Sequence, residues 1–155
     1  MSGEPSTQGP PADPLTETKE FWNRVATDWE TQVGDDGDRN RRLNSDPVLW
    51  DFLGDVRGRH VLDAGCGTGY LSRKLHAAGA LVVGVDLSDV MVAIARDHAP
   101  DLDLRVDSVS ELGTLEDGRF DLVVSNYVLM DVPLLQETVD AFHRVLRPGG
   151  AAVVV

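Results

Sequence analysis

The stretch Val61-Leu62-Asp63-Ala64-Gly65-Cys66-Gly67-Thr68-Gly69-Tyr70-Leu71 limits the fold more than any other part of the chain. A short apolar run ends in an acid, passes glycines at three alternate positions and opens into a helical pattern. That reads as a strand, a tight turn and a helix start. Glycine lets the backbone take conformations closed to other residues and lets a ligand approach the main chain. The helix beyond the turn offers unpaired N–H groups and the positive end of its dipole. Asp63 adds a fixed negative charge beside it. A ligand with both cationic and anionic parts suits that pairing.

From His60 onward, strand and helix patterns alternate. His60–Ala64 is the first strand, and Leu71, Leu75 and Ala78 mark the buried stripe of a helix stopped at Gly79. Leu81–Asp86 is a continuous apolar strand ending in an acid, after which Ser88 caps a helix through Met91, Ile94 and Ala95, closed by Pro100. Leu102–Asp107 alternates as an edge strand does, and Phe120–Ser125 reads as buried. Leu135, Val139, Phe142 and Leu146 suggest the stripe of a long helix ended by Pro148-Gly149-Gly150, and Ala151–Val155 begins a fifth strand. This order predicts an α/β fold with a doubly wound parallel sheet and right-handed crossovers. Ligands in such sheets bind outside the carboxyl ends of the strands. Asp63, Asp86 and Asp107 all fall at those ends.

Upstream, Met1 to about Leu15 is rich in Gly, Pro, Ser and Thr and is expected to be a disordered tail, residues 1–15. Residues 16–58 are expected to form a helical cap on the α/β core of residues 59–155. Phe21, Trp22, Val25, Trp29 and Val33 recur at helical spacing, and Gly34-Asp35-Asp36-Gly37-Asp38 reads as a solvated acidic loop without the glutamate of a calcium site. Ser45-Asp46-Pro47 reads as a capped helix start, with Leu49, Phe52, Leu53 and Val56 buried and Gly58 as its end.

Composition narrows the function. The chain of 155 residues is long enough for one real core. Its formal charge of −12 argues against a surface built for nucleic acid or for an anionic membrane. One cysteine excludes an internal disulfide framework and fits a cytoplasmic setting. Neither a signal peptide nor a membrane span is expected. His60, His76 and His98 lack ligand spacing, so no metal site is expected.

Spacing separates the ligand classes. A dinucleotide turn reads G-x-G-x-x-G, whereas this one reads G-x-G-x-G with Asp63 two residues ahead, and it lacks a P-loop Lys-Ser/Thr. Asp63–Gly69 resembles motif I of the class I S-adenosylmethionine-dependent methyltransferases. Val82–Ser88 resembles their second motif, Phe120–Asn126 their fourth-strand motif, and Leu146–Gly150 the turn before their fifth strand. The likeness runs from about Phe21 to Val155 and implies a Rossmann-like methyltransferase fold. It also implies S-adenosylmethionine as cofactor and a small-molecule methyl acceptor.

The resemblance assigns expected roles. Asp86 would accept from the ribose hydroxyls, and Leu87 and Met91 would pack on the adenine faces. Asp107 would take the adenine amino group, with the Ser108 N–H on a ring nitrogen. Asp63, Gly65, Cys66 and Gly67 would border the methionyl portion, Cys66 as a small structural residue, and Asn126 would offer its carbonyl to the ammonium. Tyr127, Met130 and Asp131 would line the transfer pocket, with Asp131 as the acid or base candidate. Trp22 and Trp29 read as core residues or as a lid, and Arg41 and Arg42 as surface charges or carboxylate ligands. Family members continue with a helix and two strands beyond the fifth. A truncated chain is therefore expected, with an incomplete acceptor surface and self-association through the strand-five edge. The competing readings are a non-catalytic cofactor-binding module and a nicotinamide-dependent oxidoreductase, the latter opposed by the glycine spacing.

Overall fold

A computed structural model describes residues 13–155. The first twelve residues of the expected tail lie outside that span, and its last two already belong to helix α1 (Pro14–Val33). Five strands form one sheet: β1 (His60–Ala64), β2 (Leu81–Asp86), β3 (Asp103–Val106), β4 (Phe120–Ser125) and β5 (Leu146–Val154). Their order is β3-β2-β1-β4-β5, and every pairing is parallel. Chain order reverses between β1 and β4, so the switch point lies at the carboxyl end of β1.

The pleat divides the core. Val61, Leu122 and Val124 face one side, where Leu49, Leu71 and Leu75 pack. Leu62, Val85 and Val123 face the other, against Phe142 and Val145, and Phe120 joins that side where β4 is irregular. Residues alternate faces along a strand, so both sides of a central parallel sheet must be apolar. All six residues of β4 are buried for that reason.

The helices fit between these strands: α2 (Asp46–Leu53) before β1, α3 (Tyr70–Ala77) after it, α4 (Asp89–His98) after β2 and α5 (Leu135–Val145) after β4. Ser88 caps α4 as expected, its Oγ accepting from the Met91 N–H at 3.0 Å. Three local expectations change. Ser45 caps nothing, because helical backbone runs on from Arg39 through a π-helical turn (Arg41–Ser45) into α2, and the Asp46 N–H donates to the Arg41 carbonyl. The helix ends at Leu53 with Gly54 at φ +62°, and Phe52 is 73% exposed. In α5 the buried stripe is Thr138, Ala141, Phe142 and Val145, while Leu135 and Val139 face outward. Thr138 can occupy the buried face because its hydroxyl donates to the Leu134 carbonyl at 2.7 Å and lies 3.1 Å from the Ser110 hydroxyl. In β5, Leu146 already pairs with Phe120, and regular pairing resumes at Ala151 opposite Leu122 after an irregular stretch holding Pro148–Gly150.

Candidate functional site

The chain leaves β1 through Gly65, Gly67 and Gly69, at φ of +83°, +52° and +83°. Side chains avoid this region, which explains the alternate glycines. The Gly65 and Cys66 N–H groups both donate to the Val85 carbonyl at 2.8 Å, pinning the turn to the end of β2. A Cβ on Gly65 would stand 2.4 Å from a Val128 methyl, whereas beside Gly67 the nearest atom is Trp29 Nε1 at 3.6 Å. Gly65 is therefore packed against the segment after β4, and Gly67 faces open space.

Two acids meet at this turn. Asp86 accepts from the Gly67 and Ser88 N–H groups, one on each oxygen, both at 2.9 Å. Each oxygen keeps lone-pair capacity for another donor. Burial raises the Asp86 carboxyl above its ordinary value, and the two N–H bonds oppose the rise. Asp63 is 1% exposed and accepts from Ser72 Oγ at 2.6 Å. Burial pushes its pKa up to about 7, against the Ser72 bond and with help from the charge of Asp86. Burial also drives the Cys66 thiol well above its usual range, which disfavours the thiolate and fits a small structural residue.

An open cleft lies over these residues. Asp63, Gly65, Cys66 and Gly67 form its floor; Asp86, Leu87 and Met91 border it after β2, and Ser108 after β3. Asn126, Tyr127, Val128 and Asp131 border it after β4. Trp22 and Trp29 lie over it from α1, edge to face with centroids 5.4 Å apart. Helix α1 buries only Ala26 and Val33 fully; Trp29 packs against the core and borders the cleft as well, while Trp22 borders the cleft. Polar contacts fasten α1 to α4: Lys19 Nζ to Asp89 at 2.9 Å, Asn23 Nδ2 to Asp89 at 3.1 Å, and Ser88 Oγ donating to Asn23 Oδ1 at 2.6 Å.

Arg41 is not a surface charge. It is 6% exposed, stacked between the rings of Trp29 and Tyr127 at 5.0 and 4.9 Å, and paired with Asp38. Arg42 is exposed. Asp107, expected to face the ligand, turns away: it accepts from Thr114 N at 2.8 Å and Thr114 Oγ1 at 2.6 Å, closing the following loop. Its neighbour Ser108 does line the cleft. Met130 stands 70% exposed outside the lining, while Asp131 sits at the mouth.

Thr68 was not singled out in the sequence. It is 2% exposed, borders the cleft, and its Oγ1 has no hydrogen-bond partner among the described residues; the buried Oδ1 of Asn126 is equally unpaired among them. Buried polar atoms are almost always satisfied, so a cleft with two such atoms is suited to a polar ligand. Tyr127, at φ +59°, is held by its N–H to the Val155 carbonyl at 2.9 Å and by Asn40 donating to its hydroxyl at 2.7 Å. Strained residues of this kind concentrate at functional sites.

Residues 62–154 match the model of the methyltransferase domain family. The ubiquinone biosynthesis O-methyltransferase of Bordetella avium (strain 197N) is 38% identical over 106 residues, 66% of this chain and 44% of that protein. Among solved structures, magnesium protoporphyrin IX methyltransferase from Synechocystis PCC 6803, with S-adenosylmethionine bound, aligns with a TM-score of 0.72 at 25% identity. That alignment covers 90% of this chain and 74% of the other. A [4+2]-cyclase aligns with a TM-score of 0.76 at 24% identity over 95% of this chain and 61% of its own, a likeness of fold alone. The sheet order and glycine turn are those of the Rossmann-like methyltransferase fold. This chain belongs to the methyltransferase domain family. It spans about half the length of the curated relatives it matches.

Proposed function

We propose that the cleft binds S-adenosylmethionine and that the chain serves an enzyme transferring its methyl group to a small-molecule acceptor. The observation that carries this reading is the bond from Gly67 to Asp86, which ties the glycine turn to the acid of β2 and leaves that carboxylate free lone pairs at the cleft. The residues present fit the group. Asp86 would accept from both ribose hydroxyls, with Leu87 and Met91 against the adenine and the Ser108 N–H at a ring nitrogen. Asp63 and the unpaired Asn126 carbonyl would hold the ammonium, while Thr68 Oγ1 would gain a polar partner. Arg41 supports a carboxylate: it is the one Lys, Arg or His bordering the cleft among the described residues.

When bound, the cofactor supplies a sulfonium that is already a good methyl donor. The protein's task is to orient both reactants and exclude water. Trp22 and Trp29 would cover the cleft, and the segment from Tyr127 to Pro133 would hold the acceptor in line, at the near-attack distance of ~3–3.5 Å. Asp131 is the carboxylate of that segment and the candidate for moving a proton.

Calorimetric titration separates the ligand classes: S-adenosylhomocysteine should bind and NAD should not. Asp86→Ala should weaken S-adenosylhomocysteine binding by about 1.5–3 kcal/mol, the range for hydrogen bonds to charged groups. Unchanged affinity in a folded Asp86→Ala chain would remove the acid from the site.

A further inference from the structure

Helix α1 brings Trp22 and Trp29 to the cleft, and polar bonds fasten it along α4. At one end, Lys19 and Asn23 reach Asp89, and Ser88 Oγ donates to Asn23 Oδ1 at 2.6 Å. At the other, His98 Nε2 lies 2.8 Å from Glu30 Oε1. These bonds differ in weight. The Lys19 and Asp89 side chains are 39% and 55% exposed, and so wet a pair contributes little. The bond from Ser88 to Asn23 is part-buried, and Ser88 itself is fully buried. Removing Asn23 leaves a buried hydroxyl without its acceptor, which costs more than the bond alone contributes.

Ser88 also stands beside the acid of β2. Its N–H donates to Asp86 Oδ1 at 2.9 Å, and its hydroxyl accepts from the Met91 N–H at 3.0 Å. One residue therefore joins the carboxylate at the cleft, the first turn of α4 and the helix that carries the tryptophans. Asn23 itself stands outside the cleft lining.

We infer that Asn23 is a positioning residue: it seats α1 on the turn from Asp86 to Ser88 and so sets how long a ligand stays in the cleft. This rests on the reading of the cleft as the cofactor site. Asn suits the task because one amide supplies an acceptor for Ser88 and a donor for Asp89. Apparent affinity is reduced by the fraction of molecules in which the site is assembled. Only Ala26 and Val33 of α1 are fully buried, so this amide carries a large share of the seating.

Asn23→Ala tests the inference, since alanine favours the helix and leaves α1 itself intact. It should weaken S-adenosylhomocysteine binding about five- to tenfold by calorimetry, the scale of one or two hydrogen bonds. The loss should appear as faster dissociation in stopped-flow indole fluorescence, with the urea midpoint close to that of the parent. In the ligand-free chain, the α1 amides should exchange with deuterium faster. Asn23→Asp alone should also weaken binding, because it sets a second carboxylate beside Asp89. Combined with Asp89→Asn it exchanges amide and carboxylate, keeps an acceptor for Ser88 and should restore the parental dissociation rate. Parental affinity and dissociation rate in Asn23→Ala, unaltered exchange in α1, or a loss that the paired exchange does not recover would each overturn the inference. Failure of the parent to bind S-adenosylhomocysteine would instead strike the cofactor reading, while the ligand-free exchange rates still decide whether Asn23 seats the helix.

Discussion

A chain carrying Gly65→Val should lose measurable affinity for S-adenosylhomocysteine and unfold at lower urea than the parent. The glycine sits at φ +83°, where a side chain costs about 1–2 kcal/mol. The first added carbon would stand 2.4 and 2.8 Å from the two methyls of Val128. Relieving that overlap moves either the turn or the segment after β4, and overpacking of this kind typically costs about 1–3 kcal/mol. Both segments border the cleft, so the strain falls on binding as well as on stability. Gly67→Ala provides the contrast. Its new carbon meets nothing closer than Trp29 Nε1 at 3.6 Å, so it should fold better than Gly65→Val while still crowding the ligand. Parental affinity in Gly65→Val would mean that the ligand does not depend on this turn.

Stability of the ligand-free chain should fall as pH rises from about 4 to 7, and Asp63→Asn should remove much of that fall. The folded Asp63 has a pKa of about 7 against 3.8 for the ordinary side chain. Between those values the folded state holds a proton that the unfolded state has released, so raising pH favours unfolding. The full difference corresponds to an upper bound of about 4 kcal/mol above pH 7. Asn at this position keeps an oxygen to accept from Ser72 Oγ and carries no charge to bury. Urea midpoints for both chains at several pH values check this, and parallel pH slopes would sink it. Binding should show the opposite trend. An ammonium beside Asp63 favours the carboxylate, so S-adenosylhomocysteine should bind more tightly as pH rises through 7 in the parent, with proton release, and not in Asp63→Asn.

Strands β1, β2 and β4 were legible nearly to the residue, because each is a continuous apolar run bounded by turn residues. The glycine turn and Asp86 were legible because backbone conformation and charge at a strand end are local properties. Features decided by tertiary contact were not. The frame of α5 was hidden by Thr138, a polar residue on the buried face whose partner Ser110 lies 28 positions away. Arg41 became a cleft residue only once α1, the π-helical turn and the end of β4 met around it. Asp107 shares the strand-end pattern of Asp63 and Asp86, yet Thr114, seven residues on, captures its carboxylate. No periodicity records such a capture.

The roof of the cleft also makes the molecule an optical instrument. Of its three tryptophans, Trp22 and Trp29 border the cleft and Trp50 lies on α2 outside it. Indole emission is sensitive to a neighbouring aromatic or charged group. Filling the cleft therefore changes the light from two emitters while the third stays constant as an internal reference. Replacing Trp50 with phenylalanine would leave a chain whose indole fluorescence comes entirely from helix α1.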